Sequence, residues 1–307
     1  MESSALEPDR HGGPDLGADA EGHGVIDCAA CGFAHLWPLP SASELDAYYV
    51  RAFYETHSPP DWADKEAAEQ VYWRIEHDDR LDTFAALLGR PAGRRLDVGS
   101  GGGWLLAHAA ARGWDVLGIE PSEAMWARAR ERAPELLGTF PDVDLTAHAP
   151  FDAVHLKLVL EHVRDPAAVL SAVRRVLAPD GVVCVQVPND FNPLQQAAAA
   201  ALAKPPWWIV HPVHVNYFDF GSLQRLLERA GFTPARCEGT YPMEWFLLEG
   251  TDYVGRDAVG RTCHARRMAL EQRLEDAGLG ALRRSFARWL AAHGIGREAV
   301  VYAVRSG

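Results

Sequence analysis

Asp97-Val98-Gly99-Ser100-Gly101-Gly102-Gly103 is the stretch that decides the fold. Arg95-Leu96-Asp97-Val98 reads as a short strand running into the glycines. Behind them Leu105, Leu106, Ala109 and Ala110 recur at helical spacing. Glycines between a strand and a helix let the backbone turn sharply and approach a ligand closely. The helix N-terminus behind them offers N–H groups to an anionic group.

The same alternation continues outward. Asp115–Glu120 is a second apolar strand, and Ser122 caps a helix expected to run through Ala133, with Glu123 in its first turn. Residues 151–160 read as a strand, and Asp165-Pro166 as N-cap and first position of the next helix. Val169, Leu170, Val173, Val176 and Leu177 give that helix its apolar face, and Pro179-Asp180-Gly181 turns the chain into a buried strand over 182–187. A helix follows over 222–230 with Gly231 as its cap, and a last strand over 299–304. Strands alternating with helices at this spacing predict an α/β fold, a doubly wound and mainly parallel sheet covered on both faces. Residues 1–24 hold prolines, glycines, scattered acids, His11 and His23 but few apolar groups, so a disordered leader is expected, with order from Val25. Segments 190–220 and 241–297 exceed ordinary loop lengths and are expected to form a substrate lid.

Composition narrows the function. Of 307 residues, 48% are hydrophobic and 23% charged, enough to bury a core without disulfides. The formal net charge of −12 argues against binding through nucleic-acid phosphates and is compatible with a cationic or neutral small substrate. No apolar run is long enough to span a bilayer, and no signal peptide is visible. Five cysteines, an odd number, fit a reducing cytoplasm, so a cytoplasmic location is expected. A homo-oligomer is compatible with the sequence.

Glu120 ends the second strand, where a carboxylate can hold both ribose hydroxyls of a nucleoside. This spacing alone leaves a nicotinamide enzyme and a methyltransferase both open. Trp104 stands where a dinucleotide fingerprint needs its third glycine, and Asp97 precedes the first glycine. Further on come Phe151-Asp152-Ala153-Val154, Leu160-Glu161-His162-Val163 and Arg175-Val176-Leu177-Ala178-Pro179-Asp180-Gly181. Together these resemble the class I S-adenosylmethionine-dependent methyltransferases, over the central half of the chain. Leu160-Glu161-His162-Val163 resembles the small-molecule members. Cys28-Ala29-Ala30-Cys31-Gly32-Phe33 with Pro38-Leu39-Pro40, the 211–218 block and Gly294-Ile295-Gly296-Arg297-Glu298 are similar to flanking blocks of a subgroup. Members of this wider group modify sugars, amino sugars and other secondary metabolites, as in antibiotic biosynthesis.

The resemblance implies a seven-stranded, Rossmann-like core over 91–189, 221–240 and 298–307, with an N-terminal cap over 25–90. It implies S-adenosylmethionine as cofactor. Gly99, Gly101 and Gly103 would line its methionine part, Asp97 would face its amino group, Glu120 would hold the ribose, and Pro121 or Ser122 would flank the adenine. Residues 138–140 fall where the family places an adenine-edge contact, and Leu156 and Lys157 would lie under the sulfonium.

Methyl transfer needs a positioned acceptor and a proton sink. Candidate bases are His162, with Glu161 beside it, His211 and His214, because imidazole titrates near working pH. For His162 the competing reading is a cap on the following helix. His211 and His214, flanked by Trp207, Trp208, Tyr217 and Phe218, read as an aromatic wall with polar points, or else as a packed lid. No third ligand stands near them, so no catalytic metal is expected. Tyr48, Tyr49, Tyr54, Trp73 and Arg74 are candidates to close over the cofactor, and Glu244, Trp245 and Glu249 to meet an ammonium group. Cys28 and Cys31 have the spacing of half a zinc knuckle, which His35, His23, Cys263 or His264 could complete to a structural zinc site; a redox pair or a relic is the other reading. The expected reaction is methyl transfer to an amine or hydroxyl of a small polar metabolite, favoured as an amino sugar or aminoglycoside. Methylation at a sugar carbon, a nicotinamide-dependent oxidoreductase and a non-catalytic binding protein of the same fold are the alternatives.

Overall fold

The computed structural model describes residues 11–47 and 69–306. It opens with a hairpin layer, β1 (Asp15–Ala18), β2 (Gly24–Cys28) and β3 (Phe33–Trp37), followed by α1 (Ala42–Ala47). A 19-residue helix, α2 (Gln70–Leu88), leads into the alternating core: β4 (Arg94–Val98), α3 (Trp104–Ala111), β5 (Asp115–Glu120), α4 (Glu123–Ala129), β6 (Glu135–Leu137), β7 (Phe151–Lys157), α5 (Pro166–Val176) and β8 (Leu177–Pro188). Then come α6 (Pro193–Leu202), β9 (Asn216–Tyr217), α7 (Phe220–Arg229), β10 (Phe232–Gly239), α8 (Glu244–Leu248), α9 (Asp257–Asp276), α10 (Gly280–Ala292) and β11 (Glu298–Arg305).

The large sheet has the order β10-β11-β8-β7-β4-β5-β6. Its β8-β7-β4-β5-β6 part is parallel, and β11 runs antiparallel to both β8 and β10. Val182-Val183-Cys184-Val185 in β8 is wholly buried, as a strand covered on both faces must be. One face packs under α5 and α7, with Leu170, Val173, Leu223 and Leu227 against Val98, Leu156 and Val185. The other packs under α2 and α3, with Leu81, Phe84 and Leu106 against Val116, Cys184 and Tyr302. Each such large apolar side chain contributes about 1.5–3 kcal/mol relative to exposure.

Register sets the functional edge. Val98 pairs with Ile119 and with Leu156, and Leu156 with Val185. The carboxyl ends of β4, β5, β7 and β8 therefore finish level, and the loops after them share one rim. β9 belongs to a second, antiparallel sheet of order β1-β2-β3-β9.

The structure departs from expectation at five places, the first being β8, which begins at Leu177 and runs through 179–181, read as the end of a helix and a turn. Order begins before Val25: Asp15–Ala18 pairs with β2, held by backbone bonds that carry no hydrophobic signal. α4 stops at Ala129, because Pro134 disfavours helical geometry at Ala133 and the chain turns before it. β7 stops at Lys157, because Leu158 takes a left-handed conformation, φ 55°. Within 190–220, a helix and a strand form, and β9 joins the N-terminal hairpin. Among the described residues no helix is long and apolar enough to cross a membrane.

Candidate functional site

The glycine loop turns through three left-handed residues: Gly99 (φ 71°), Gly101 (φ 56°) and Gly103 (φ 75°). A Cβ on Gly99 would stand 2.9 Å from Val159 Cγ2, and one on Gly103 2.9 Å from Ala129 Cα. A Cβ on Gly101 would meet nothing within 4 Å, so this glycine faces open space. Glu120, 2% exposed, spans the loop and the next helix. Its Oε2 accepts from the Gly101 N–H at 2.9 Å and its Oε1 from the Ser122 N–H at 2.9 Å. These two bonds fix the carboxylate's orientation at the strand end. Pro121 follows, exposed, and Ser122 caps α4 as expected. Gly138 donates its N–H to the Glu120 carbonyl, which places 138–140 beside the same strand end.

Val159 against Gly99 brings the loop after β7 onto the glycine loop. That loop carries Glu161 and His162. Glu161 is 1% exposed, and neither carboxyl oxygen has a hydrogen-bond partner. Burial pushes its carboxyl well above the usual range; its own backbone N–H opposes this, and the charges of Asp190 and Glu298 add to it. The His162 Nδ1 lies 2.8 Å from the Val213 carbonyl, which can only accept. Nδ1 is therefore the protonated nitrogen, and Nε2 turns toward Glu161 Oε1 at 3.8 Å. His214 meets His162 edge to face, ring centroids 5.1 Å apart, and Glu161, His162 and His214 gather within 4.8 Å. The helix cap comes from Asp165, whose side chain accepts from the Ala168 N–H, so His162 does not serve as the cap. Asn216 fixes this loop by donating from Nδ2 to the Leu160 and Val163 carbonyls at 2.8 and 2.6 Å.

Three further acids lie along this edge. Asp190, just after β8, is pushed up to about 7 by burial; a bond from Gln195 opposes the shift and the Glu244 charge reinforces it. Glu244, from α8, is itself raised by burial. Asp190 Oδ2 and Glu244 Oε2 have no hydrogen-bond partner. Glu135, opening β6, is pushed up to about 8 by burial; the Ser100 hydroxyl opposes this, and the charges of Asp97 and Glu120 add to it. Gly118 makes room for it, since a Cβ there would stand 2.0 Å from Glu135 Oε1. Sequence reading missed Asp190 and Glu135: neither sits in a recognisable motif, and only the fold shows that both carboxyls are buried.

Other candidates fall elsewhere. Asp97 faces into the sheet: its Oδ1 lies 2.8 Å from His155 Nδ1 and its Oδ2 3.7 Å from Arg95. Burial would raise this carboxyl, but Arg95 and His155 hold it below its usual range. Leu156 is wholly buried in the core. Lys157 Nζ pairs with Glu76 at 2.7 Å and sits 4.3 Å over the Trp73 ring. His211 leaves the other two histidines and stacks on His23, centroids 3.6 Å apart. The expected aromatic wall is mostly packing: Trp208, Tyr217 and Phe218 are buried in the two cores. Glu249 is exposed and pairs with Arg266. Tyr48, Tyr49 and Tyr54 lie outside the described residues.

At the N-terminal hairpin, His11, Cys28, Cys31 and His35 gather within 4.8 Å of one another. His35 is among the four partners foreseen for the cysteines; His11 was read as leader. His23 pairs with Asp19 instead, Cys263 is buried beside Met243 and Phe246, and His264 lies 3.9 Å from Glu69.

A family model described as a methyltransferase domain matches residues 69–236. Among curated proteins, the ubiquinone biosynthesis O-methyltransferase of Alkalilimnicola ehrlichii is 40% identical over 118 residues, 36% of this chain and 48% of that protein. The trans-aconitate 2-methyltransferase of Methylobacterium radiotolerans is 35% identical over 182 residues, 55% of this chain and 68% of that protein. The chain thus spans about half the length of the first relative and about two thirds of the second. Among solved structures, magnesium protoporphyrin IX methyltransferase from Synechocystis PCC 6803, with bound SAH, shares the fold: TM-score 0.51, 14% identity, 83% of this chain and 98% of that one. The family match covers more than half of the chain and takes in the glycine loop, Glu120 and the Glu161–His162 loop. With this seven-stranded sheet beneath them, the chain belongs to the methyltransferase-domain family, in its class I, S-adenosylmethionine-dependent form.

Proposed function

We propose that the chain transfers a methyl group from S-adenosylmethionine to an amine or hydroxyl of a small polar metabolite. The observation that carries this is the contact of Val159 with Gly99, which sets a buried carboxyl-imidazole pair against a nucleoside-type loop. The residues present fit the cofactor. Gly101 faces open space, and the Glu120 carboxylate is held by two backbone N–H groups at the strand end where a ribose would lie. S-adenosylmethionine, when bound, supplies the electrophilic methyl group.

The chain's own residues then have to hold the acceptor in line and take its proton. His162 Nε2 is the acceptor nitrogen of its ring, because Nδ1 is committed to Val213. As the acceptor atom gains the methyl group it loses a proton to Nε2, with the Glu161 carboxyl 3.8 Å away. His214 closes the other side of the ring.

An amine is favoured by Glu161, Asp190 and Glu244, three buried carboxyls all raised by burial. The charge of a bound ammonium group would draw them to their ionised form, their protons going to water, so that they hold the cation while His162 takes the amine's proton. The amino-sugar form of the acceptor rests on the resemblance of the flanking blocks, and segments 190–220 and 241–297 are its cover, Glu244 coming from the second. The first of the two curated relatives is named an O-methyltransferase, which keeps the hydroxyl reading open.

The test is calorimetric titration with S-adenosylhomocysteine, followed by methyl-transfer assays on aminoglycosides, amino sugars and sugar nucleotides. Binding with turnover on amines is expected. Binding with turnover on hydroxyl compounds alone moves the acceptor to oxygen, and stabilisation by a nicotinamide cofactor alone would overturn the reading.

A further inference from the structure

The cluster on the N-terminal hairpin lies outside the matched family region and outside the methyl-transfer edge. His11 Nδ1 stands 3.6 Å from Cys28 Sγ, 3.5 Å from Cys31 Sγ and 3.1 Å from His35 Nε2. A ring nitrogen carries one proton or one lone pair, so it can satisfy one of these three neighbours. A central cation satisfies all of them at once. For zinc bonded to sulfur at about 2.3 Å and to nitrogen at about 2.0–2.1 Å, a tetrahedron has S···N edges of about 3.5 Å and N···N edges of about 3.3 Å. The three separations at His11 Nδ1 lie within about 0.2 Å of those edges, and the other ligand atoms are within 4.8 Å of one another.

The tautomer of His35 agrees. Its Nδ1 lies 2.8 Å from the Leu36 carbonyl, which makes Nδ1 the protonated nitrogen and points the lone pair of Nε2 into the cluster. Cys28 and Cys31 enclose a tight turn closed by the Gly32 N–H on the Cys28 carbonyl at 2.7 Å, with Gly32 at φ 73°. Arg229, from α7, donates to the Cys31 carbonyl at the edge of the cluster. An adjoining cleft of about 260 Å³, lined by His11, Cys31, His35 and Arg229, gives an entry path.

We propose that His11, Cys28, Cys31 and His35 bind one zinc ion, and that this ion sets the Glu161–His162 loop through the small sheet. Two thiolates and two imidazoles in a tetrahedron suit zinc and leave no open position, so the ion is structural. The path to the loop is short. His35 pairs across β3 and β9 with Asn216, and Asn216 holds the Leu160 and Val163 carbonyls. The Val215 and Asn216 N–H groups hold the Glu161 carbonyl at 2.7 and 3.1 Å.

The full chain, purified without chelator, is expected to carry about one zinc by mass spectrometry. Exchange with cobalt should give the thiolate charge-transfer and tetrahedral bands of an S₂N₂ site, a readout that needs no variant. Cys31→Ser and His35→Ala should each weaken zinc at least tenfold in chelator competition, while Cys237→Ser, outside the cluster, keeps it. Zinc removal should speed hydrogen exchange in 158–163 while S-adenosylhomocysteine still binds, so the metal site and the cofactor site succeed or fail separately. A folded chain that takes up no zinc or cobalt, or one holding a Cys28–Cys31 disulfide in place of metal, overturns the site. Unchanged exchange in 158–163 on zinc removal overturns the coupling.

Discussion

Replacing Glu120 tests the cofactor site at its most constrained atom pair. The carboxylate accepts one N–H from Gly101 and one from Ser122, each at 2.9 Å, and so ties the glycine loop to the start of α4. Glu120→Gln keeps the shape but has one acceptor oxygen for two donors. One bond is lost and an NH₂ group is turned against an N–H. Hydrogen bonds to a charged group contribute about 1.5–3 kcal/mol each. The same exchange takes one acceptor oxygen from the ribose, so at about 1.4 kcal/mol per tenfold the variant should bind S-adenosylhomocysteine roughly 10–100-fold more weakly. Glu120→Ala removes both ribose bonds, which at the same rate per bond should cost roughly 10²–10⁴-fold in affinity, besides the two backbone bonds that order the loop. Calorimetric titration measures both, with near-ultraviolet circular dichroism to confirm the fold. Wild-type affinity in Glu120→Ala would refute the ribose assignment, and loss in Glu120→Ala with none in Glu120→Gln would refute the role of the paired acceptor oxygens.

Four further outcomes are expected. His162→Ala should lower turnover about 10²–10⁴-fold, the range of general-base catalysis, with cofactor affinity unchanged; equal turnover would remove His162 as the base. Asn216→Ala strands two carbonyls and should lower turnover and thermal stability together, by about 1–3 kcal/mol per carbonyl left buried; an unchanged melting curve would show that the loop is held otherwise. Gly101→Ala places a side chain at φ 56° in open space, so it should cost about 1–2 kcal/mol of stability and hinder cofactor binding; full binding would put the cofactor elsewhere. Glu135, raised from 4.5 to about 8, keeps its proton in the fold while the unfolded chain loses it. Its contribution to stability is therefore complete below about 4.5 and is lost as pH rises toward 8. Thermal melts from pH 5 to 8 should fall less steeply for Glu135→Gln than for the wild type; equal slopes would remove the shift.

What the sequence made legible was what depends on local pattern. The strand, glycines and helix over 94–111 could be read because period and turn chemistry agree there, and β5, α5 and β8 for the same reason. α2 was harder. It buries His77, Asp79 and Arg80, and Arg80 reaches Gln186, Glu238 and Tyr302, so ionic partners far along the chain replace the apolar stripe that periodicity detects. β6 has three residues, too few for any period. The leader looked disordered because disorder was judged from apolar content, whereas β1 and His11 are held by backbone pairing and by the polar cluster. Cys28 and Cys31 announced a metal site by spacing, but His11 lies 17 residues before Cys28, and only the hairpin brings it there.

The buried acids divide by what surrounds them, and the division separates frame from site. Asp97 lies between Arg95 and His155, and Glu76 between Lys157 and Arg80; in each the attraction outweighs burial and the carboxyl falls below its usual range. Such groups are compensated within the fold and stiffen it. Glu161, Asp190 and Glu244 are as deeply buried, yet each keeps at least one carboxyl oxygen without a hydrogen bond, and all three are raised. A buried carboxyl left this way costs stability, since any charge on it is uncompensated. Three of them along one sheet edge, beside a loop shaped for a nucleoside, put the expense where a bound cation and a moving proton would recover it. The paired acids would therefore be replaced only at a loss of folding, whereas Glu161→Gln, Asp190→Asn and Glu244→Gln should leave the fold as stable or more so and lower turnover on amines.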